Sequence, residues 1–370
     1  MIERLYIHNF RCLENFELSL GGRSSALLIG RNGAGKSTIS FALALLQGVA
    51  RGTNRVGLLI KPSDFSRGRT DAPMRFELDV RLGGHLYQYR LALDFPAKLR
   101  EVRVASEQLL VDGEPVYTRE LAQVSLTRRS AEPQASFRVD WHLIALSIIQ
   151  EQSEEDPFFV FKRWLAQSLI LSPIPSQISG ESSGETLEVD RGASNLGEWF
   201  AGLLAHSPAA YSTIDGYLKD VIPDFSDVRN PLVAGERRSL RVLFKTENGS
   251  LPVQFSELSD GEKCIFICAL VVAANAAYGP LFCFWDEPDN HLSIAEVGHF
   301  TVALRRAFES GGQILMTTHN AETIRRFSDE NTFLLFRRDH LEPTRVRSIE
   351  SLERRTDDLV EALIRGDVEP

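Results

Sequence analysis

Apolar and polar positions alternate at the start of the chain. Leu5, Ile7 and Phe10 precede a short polar turn, and Phe16, Leu18 and Leu20 follow it, which predicts a hairpin-like pair of strands. The run SALLI at 25–29 is continuously apolar, as a strand buried on both faces would be. After a glycine-rich loop, Thr38 to Val49 is mostly apolar and predicts a buried helix ending near Gly48. From Arg75 to about Val116 the period drops to two, with turn signals at Gly83-Gly84 and Asp112-Gly113, and this predicts an antiparallel meander. Residues 141–165 read as helical, 169–174 as a strand stopped by prolines, and 176–192, rich in Ser, Gly and Glu, as an exposed loop.

Two amphipathic stripes follow. Leu196, Trp199, Phe200, Leu203 and Leu204 form the first, headed by Asn195 with Glu198 three residues on, an Asn-headed variant of a capping box. Tyr211, Ile214, Leu218, Val221 and Ile222 form the second. Pro208, Pro223 and Pro231 and the absence of heptads exclude a long coiled coil here. Beyond 240 short apolar strands (281–285, 313–317, 331–336) alternate with helix-length segments, the mark of a mostly parallel α/β sheet. The expected units are 1–140, with the glycine loop and the antiparallel β subdomain, a helical lobe at 141–239, and 240–370.

Composition narrows this little. A 370-residue chain with 43% hydrophobic and 25% charged residues is ordinary for a globular protein. The longest apolar run, Cys264 to Ala274, is short of the roughly 20 residues a bilayer span needs, and the N-terminus has no signal-peptide pattern, so no membrane association and a cytoplasmic location are expected. Cys12, Cys264, Cys268 and Cys283 lack metal-ligand spacing and are expected to be reduced and buried. The net charge of −9 argues against a globally basic nucleic-acid binder. Arginine doublets at 305/306, 325/326, 337/338 and 354/355 leave a local DNA-binding stripe open beside the blander reading of solvated ion pairs.

The chemistry lies in four stretches. GRNGAGKS at 30–37 is a complete G-x-x-x-x-G-K-[ST] loop between a strand and a helix. Its glycines let backbone N–H groups turn inward on phosphate oxygens, Lys36 reaches the outer phosphates and the Ser37 hydroxyl suits Mg²⁺. Gly30, Asn32, Gly33, Ala34, Gly35, Lys36, Ser37 and Thr38 are the candidate nucleotide contacts. LFCFWDE at 281–287 delivers two carboxylates at the end of a strand: Asp286 for Mg²⁺ and Glu287 to polarise the attacking water. LSDGEK at 258–263 sets Ser259 and Gly261 at a helix start, either a plain N-cap or a second anion site.

In order, GRNGAGKS, LSDGEK, FCFWDEPDNHL and MTTHN resemble the Walker A, signature, Walker B/D-loop and His-switch motifs of ABC-type P-loop ATPases. The opening IHNFRCLENFEL and the run DEPDNHL resemble the RecF, SMC and OLD-like group, as stand-alone ATPases of bacterial anti-phage defence. The resemblance spans roughly 1–95 and 240–340. It implies an α/β ATPase head with a mixed, largely parallel core sheet, ATP and Mg²⁺ as cofactors, and a homodimer closed around ATP. Ser259 and Gly261 would then meet the γ-phosphate bound by the other subunit. Asp289 would act from the D-loop, His319 as the switch, and Arg11 near the nucleotide.

The chain departs from the family at the Q-loop glutamine, for which no residue stands out. The resemblance also implies that a Toprim nuclease domain has no room after His319, so that cutting would fall to a separate effector nuclease. The expected function is an ATP-driven switch or sensor in a defence complex. The alternative is a RecF-like, DNA-binding clamp in repair. The meander, the NFR start and the missing glutamine argue against a transporter subunit.

Overall fold

The computed structural model describes residues 1–127, 135–351 and 360–362. Its centre is a six-stranded sheet in the order Leu169–Leu171, Phe282–Trp285, Gln313–Thr317, Ser25–Ile29, Thr332–Phe336, Arg345–Ser348. The first five strands run parallel and the last is antiparallel. The three middle strands are buried at every position, which is why they read as unbroken apolar runs rather than as alternation. Successive residues still divide between two cores. Ala26 and Leu28 face the one holding helix Lys36–Ala50, whereas Leu27 and Ile29 face the one holding helix Asp260–Tyr278.

Over the first core lies an eight-stranded antiparallel sheet. Ile2–His8 pairs with Phe16–Ser19, as the alternation predicts, with Ile7 opposite Phe16. Its other edge pairs with Met74–Leu82, so the first strands and the meander are one sheet, which continues to Ala135–Arg138. Gln313, buried, ties this sheet to the central one: its amide accepts from Ile2 N at 2.8 Å and donates to the Ile2 and Arg23 carbonyls. The far end of the meander is held by an internal ion pair. Glu107 and Arg119 are fully buried 3.6 Å apart. Glu107 accepts from the Tyr89 and Tyr117 hydroxyls and from Ala145 N and Leu146 N. Arg119 donates to the carbonyls of Leu121, Asp140 and Leu143. Every polar atom of such a pair needs a partner, because desolvation alone costs several kcal/mol per ion.

The second core takes helices Leu196–His206 and Ala210–Val221 and two three-stranded sheets between residues 181 and 254. Helix Asp260–Tyr278 is long and apolar enough to cross a membrane by length and composition alone. Here it is the spine of the second core, with Ile267, Cys268, Ala269 and Val271 fully enclosed.

Several expectations change. Residues 141–165 hold only the short helix Ala145–Ile148 and Pro157–Gln167, because Pro157 starts a new helix, with Asp156 capping Phe158 N at 3.0 Å. Asn195 does not cap its helix; its side chain instead bonds Glu188 O and Asp190 N. The strand at 169 ends at Leu171, and the sheets between 225 and 254 gave no clear period-two signal. The supposedly exposed loop 176–192 buries Ile178 and Val189 in the second core. All four cysteines are free, but Cys12 is only partly buried. Arg354 and Arg355 lie outside the described residues.

Candidate functional site

Strand Ser25–Ile29 runs into the glycine loop, and helix Lys36–Ala50 leaves it. Two glycines are sterically required. At Gly30 (φ 155°) a Cβ would strike the Leu335 carbonyl, and at Gly35 (φ 106°) it would come within 2.6 Å of Thr344 Oγ1. The loop is thus clamped from outside: Thr344 Oγ1 donates to Ala34 O at 2.8 Å, and Thr344 N donates to Cys12 O at 2.8 Å. Thr38 Oγ1 accepts from Cys12 Sγ at 3.4 Å. Arg31, Asn32, Gly33 and Ser37 stay exposed. A Cβ on Gly33 would lie 3.4 Å from Arg337 Nη2 and 4.0 Å from His340 Nε2, so the chain leaving Thr332–Phe336 brings two basic side chains to the rim of the loop.

Lys36 is 5% exposed. Its ammonium lies 3.0 Å from Gly30 O, to which it donates, and 2.6 Å from His319 Nε2. Burial pulls its pKa below the ordinary lysine value, opposed by Glu287 and Asp286. Glu287 Oε1 is 3.2 Å from His319 Nε2, and Glu287 Oε2 accepts from Asn290 Nδ2 at 2.7 Å. Lys36, Glu287 and His319 come from three neighbouring parallel strands and meet at their C-terminal ends, where parallel sheets carry their ligands.

Thr317 orients the carboxylates. Its hydroxyl donates to Asp286 Oδ1 at 2.7 Å and accepts from Glu287 N at 2.9 Å. Glu287 sits at φ 50°, a left-handed conformation that costs a non-glycine residue of order 1 kcal/mol or more and is held by this bonding. A cavity of about 90 Å³ beside Asp286 and Glu287, lined also by Ser172, Cys264 and Asn290, has room for water. Asp286 Oδ2 accepts no hydrogen bond among the described residues. That oxygen and the exposed Ser37 hydroxyl are hard-oxygen donors of the kind Mg²⁺ takes, an ion that keeps waters and takes phosphate oxygens rather than needing an all-protein cage. A larger cleft of about 580 Å³, between Arg55, Lys61, Arg100 and His142, contains none of the motif residues.

The remaining candidates are placed differently. Asp289 is 3% exposed and lies beneath the site: its Oδ2 accepts from Thr318 Oγ1 at 2.5 Å and from Thr323 Oγ1, bracing the segment that carries His319. Ser259 caps helix Asp260–Tyr278 in a reciprocal box with Glu262, and is exposed. Gly261 packs against its own chain, where a Cβ would be 2.8 Å from His291 O. Among the described residues neither Ser259 nor Gly261 bonds to residues 30–38. Arg11 (φ 52°) pairs with Asp64 at 3.0 Å and lies over the Phe41 ring.

Sequence reasoning missed Arg191 altogether. It reaches from the loop before helix Leu196–His206 to Ser40 Oγ (3.1 Å) and Asp286 Oδ2 (3.8 Å). Nothing in the local sequence RGAS signals this; only the fold brings it there. Thr317 was legible, as the first residue of TTH.

Comparison with known proteins agrees with this geometry. Residues 25–325 match the family described as "AAA domain, putative AbiEii toxin, Type IV TA system". A Smc head bound to the C-winged helix domain of ScpA superposes with a TM-score of 0.57 at 16% identity, covering 94% of this chain and 98% of that one. A Smc head with an extended coiled coil, bound to the C-terminal domain of ScpA derived from Pyrococcus furiosus, gives 0.55 at 14% identity, covering 94% and 96%. Two curated proteins match locally. The chromosome partition protein Smc of Chlorobaculum tepidum is 34% identical over 76 residues, 20% of this chain and 6% of that protein. The OLD nuclease of Thermus scotoductus is 48% identical over 48 residues, 13% of this chain and 9% of that protein. The matches thus span less than a tenth of either curated relative. The chain belongs to this AAA-domain family and has the fold of the Smc heads.

Proposed function

We propose that the chain binds ATP with Mg²⁺ at residues 30–38 and hydrolyses it. The observation that carries this is the convergence of Lys36, Glu287 and His319 beside the loop. Lys36 exchanges His319 for phosphate oxygens, and Glu287 accepts a proton from a water in the adjoining cavity. His319 lies within reach of both the ammonium and that carboxylate. Mg²⁺, held by Ser37 and Asp286, supplies neutralising charge on the phosphates when bound. Ser259 and Gly261 are exposed or half-exposed, remote from their own chain's loop in bonding, and free to close on the nucleotide of a second copy. Purified protein should release phosphate from ATP only with Mg²⁺ and not after Lys36→Ala; absence of release from the parent protein would overturn the reading.

In the cell this dimer acts as the switch subunit of an anti-phage defence complex with a separate effector nuclease. Supporting this are the local likeness to an OLD nuclease and the family description, which names a toxin. Phage plating on hosts with and without the gene, joined to a pull-down, tests it: unchanged plating and no co-purified nuclease would remove it. The likeness to a chromosome partition protein favours a second reading, an ATP-dependent DNA clamp, which requires DNA binding that weakens steeply with salt.

A further inference from the structure

Arg191 is built into the site by both its backbone and its side chain. Its carbonyl accepts from Ser172 N at 2.7 Å, and the next carbonyl, of Gly192, accepts from Ile174 N at 3.2 Å. These two bonds lay the segment 172–174, which leaves the strand beside Phe282–Trp285, against residues 191–192. The Asp190 carboxylate fixes the turn by accepting from Ser194 N at 2.9 Å and Asn195 N at 3.2 Å. The side chain then spans to the phosphate-loop helix. Nε donates to Ser40 Oγ, and the guanidinium carbon lies 4.3 Å from the centre of the Phe41 ring, as does that of Arg11. Among the described residues Asp286 is the only carboxylate paired with Arg191, at 3.8 Å. That is an ion pair too long to be a hydrogen bond, made to the one Asp286 oxygen that Thr317 leaves open.

This deepens the reading of the site as a Mg²⁺-nucleotide site, and rests on it. We propose that Arg191 is a positioning residue that holds the cation's place in the nucleotide-free protein, neutralising Asp286 until Mg²⁺ takes that oxygen. A doubly charged Mg²⁺ and a singly charged guanidinium cannot both sit on the free Asp286 oxygen without repelling each other, so arrival of the metal releases the guanidinium. Once released, it remains on the Ser40/Phe41 face beside Arg11, where a phosphate is the anion within the site. The shift has a route outward. Residues 172–175 are bonded to 191–192 at one end, and Pro175 O accepts from Lys263 Nζ at 3.1 Å at the other. Lys263 is buried and belongs to LSDGEK, so nucleotide state at Asp286 is transmitted to the segment carrying Ser259 and Gly261.

The test uses the full chain and two readouts of opposite sign. Mn²⁺ binding to nucleotide-free protein is followed by electron paramagnetic resonance, and mant-ADP binding in EDTA by fluorescence. Arg191→Ala removes the competitor for Asp286, so Mn²⁺ should bind about tenfold tighter. The same variant leaves Asp286 to repel the phosphates, so metal-free mant-ADP should bind about tenfold more weakly. Arg191→Lys should bring both values back toward the parent. A merely structural role would weaken both together; that result, or two unchanged affinities, overturns the proposal. If circular dichroism shows Arg191→Ala unfolded, Ser40→Ala carries the test, with the same signs and smaller shifts. Mant-ADP with Mg²⁺ on the parent protein and on Lys36→Ala separates the two levels: no binding by the parent discards the nucleotide reading and this inference with it, whereas parent binding that Lys36→Ala abolishes leaves the Arg191 result to stand or fall alone.

Discussion

The Lys36 ammonium lies 2.6 Å from His319 Nε2, so the lysine that would grip phosphate is in contact with the histidine that would sense it. Nucleotide binding must break this contact. His319→Ala should therefore leave mant-ATP binding intact or tighten it, while ATP turnover falls by about 10²-fold, the size of a lost polar catalytic group. Stopped-flow binding and steady-state phosphate release separate the two; a variant that loses binding and retains turnover per bound ATP would refute the assignment.

Glu287→Gln keeps the side chain's shape and its contact from Asn290 but removes the base. ATP should still bind, hydrolysis should drop by about 10²- to 10⁴-fold, and ATP should trap a dimer visible by size-exclusion chromatography with light scattering. Hydrolysis at the parent rate would show that another group activates water.

Asp289 accepts from two buried threonine hydroxyls. Asp289→Ala strands both, and each unsatisfied buried hydroxyl costs about 1–3 kcal/mol. The melting temperature should fall, with mant-ATP binding by the monomer little changed. If stability holds and only ATP-dependent dimerisation is lost, Asp289 acts across the interface instead.

Breaking the internal pair between Glu107 and Arg119 should be among the most damaging single changes. Glu107→Ala leaves a buried guanidinium without its carboxylate and strips partners from two tyrosines and two backbone N–H groups, a loss of about 3–5 kcal/mol. Urea unfolding measures it, and a change below about 1 kcal/mol would mean that water replaces the lost partners.

Burial pushes the Cys264 and Cys268 thiols up to about 12, and Cys283 higher still, from an ordinary 9.0. Native protein at pH 8 should thus expose Cys12 alone to a thiol reagent, and all four after denaturation. The linkage has a definite sign. The folded thiols keep their protons while unfolded ones lose them above pH 9, so stability is intact below pH 9 and declines as pH rises toward 12. Denaturant midpoints that stay flat from pH 9 to 10.5 would contradict it.

How much of this was visible in the sequence depended on how local each signal was. The phosphate loop, the strand Gln313–Thr317 and the helix stripes at 196 and 211 could be read because period and glycine placement are properties of adjacent residues. Asp286 and Glu287 were legible because an apolar strand ends on them. Arg191 was not: it enters the site through a loop whose composition suggested solvent, and only the bonding of residues 172–174 to 191–192 aims it. Also hidden was the bonding by which threonines orient Asp286 and Glu287 and hold Asp289 beneath them. All three carboxylates belong to one acidic run, and the strand end and the threonines at 317, 318 and 323 set their surroundings apart.

Strand Ser25–Ile29 lies between Gln313–Thr317 and Thr332–Phe336 and has no other sheet neighbour. During translation both of its edges are made long after the strand itself. The nascent chain must therefore carry five buried-type residues unpaired until those edges are made, a hazard for aggregation and a reason for slow maturation. A chain cut short of residue 336 would lack one edge of the strand that feeds the glycine loop, so the setting of that loop is complete only once Thr332–Phe336 has been made.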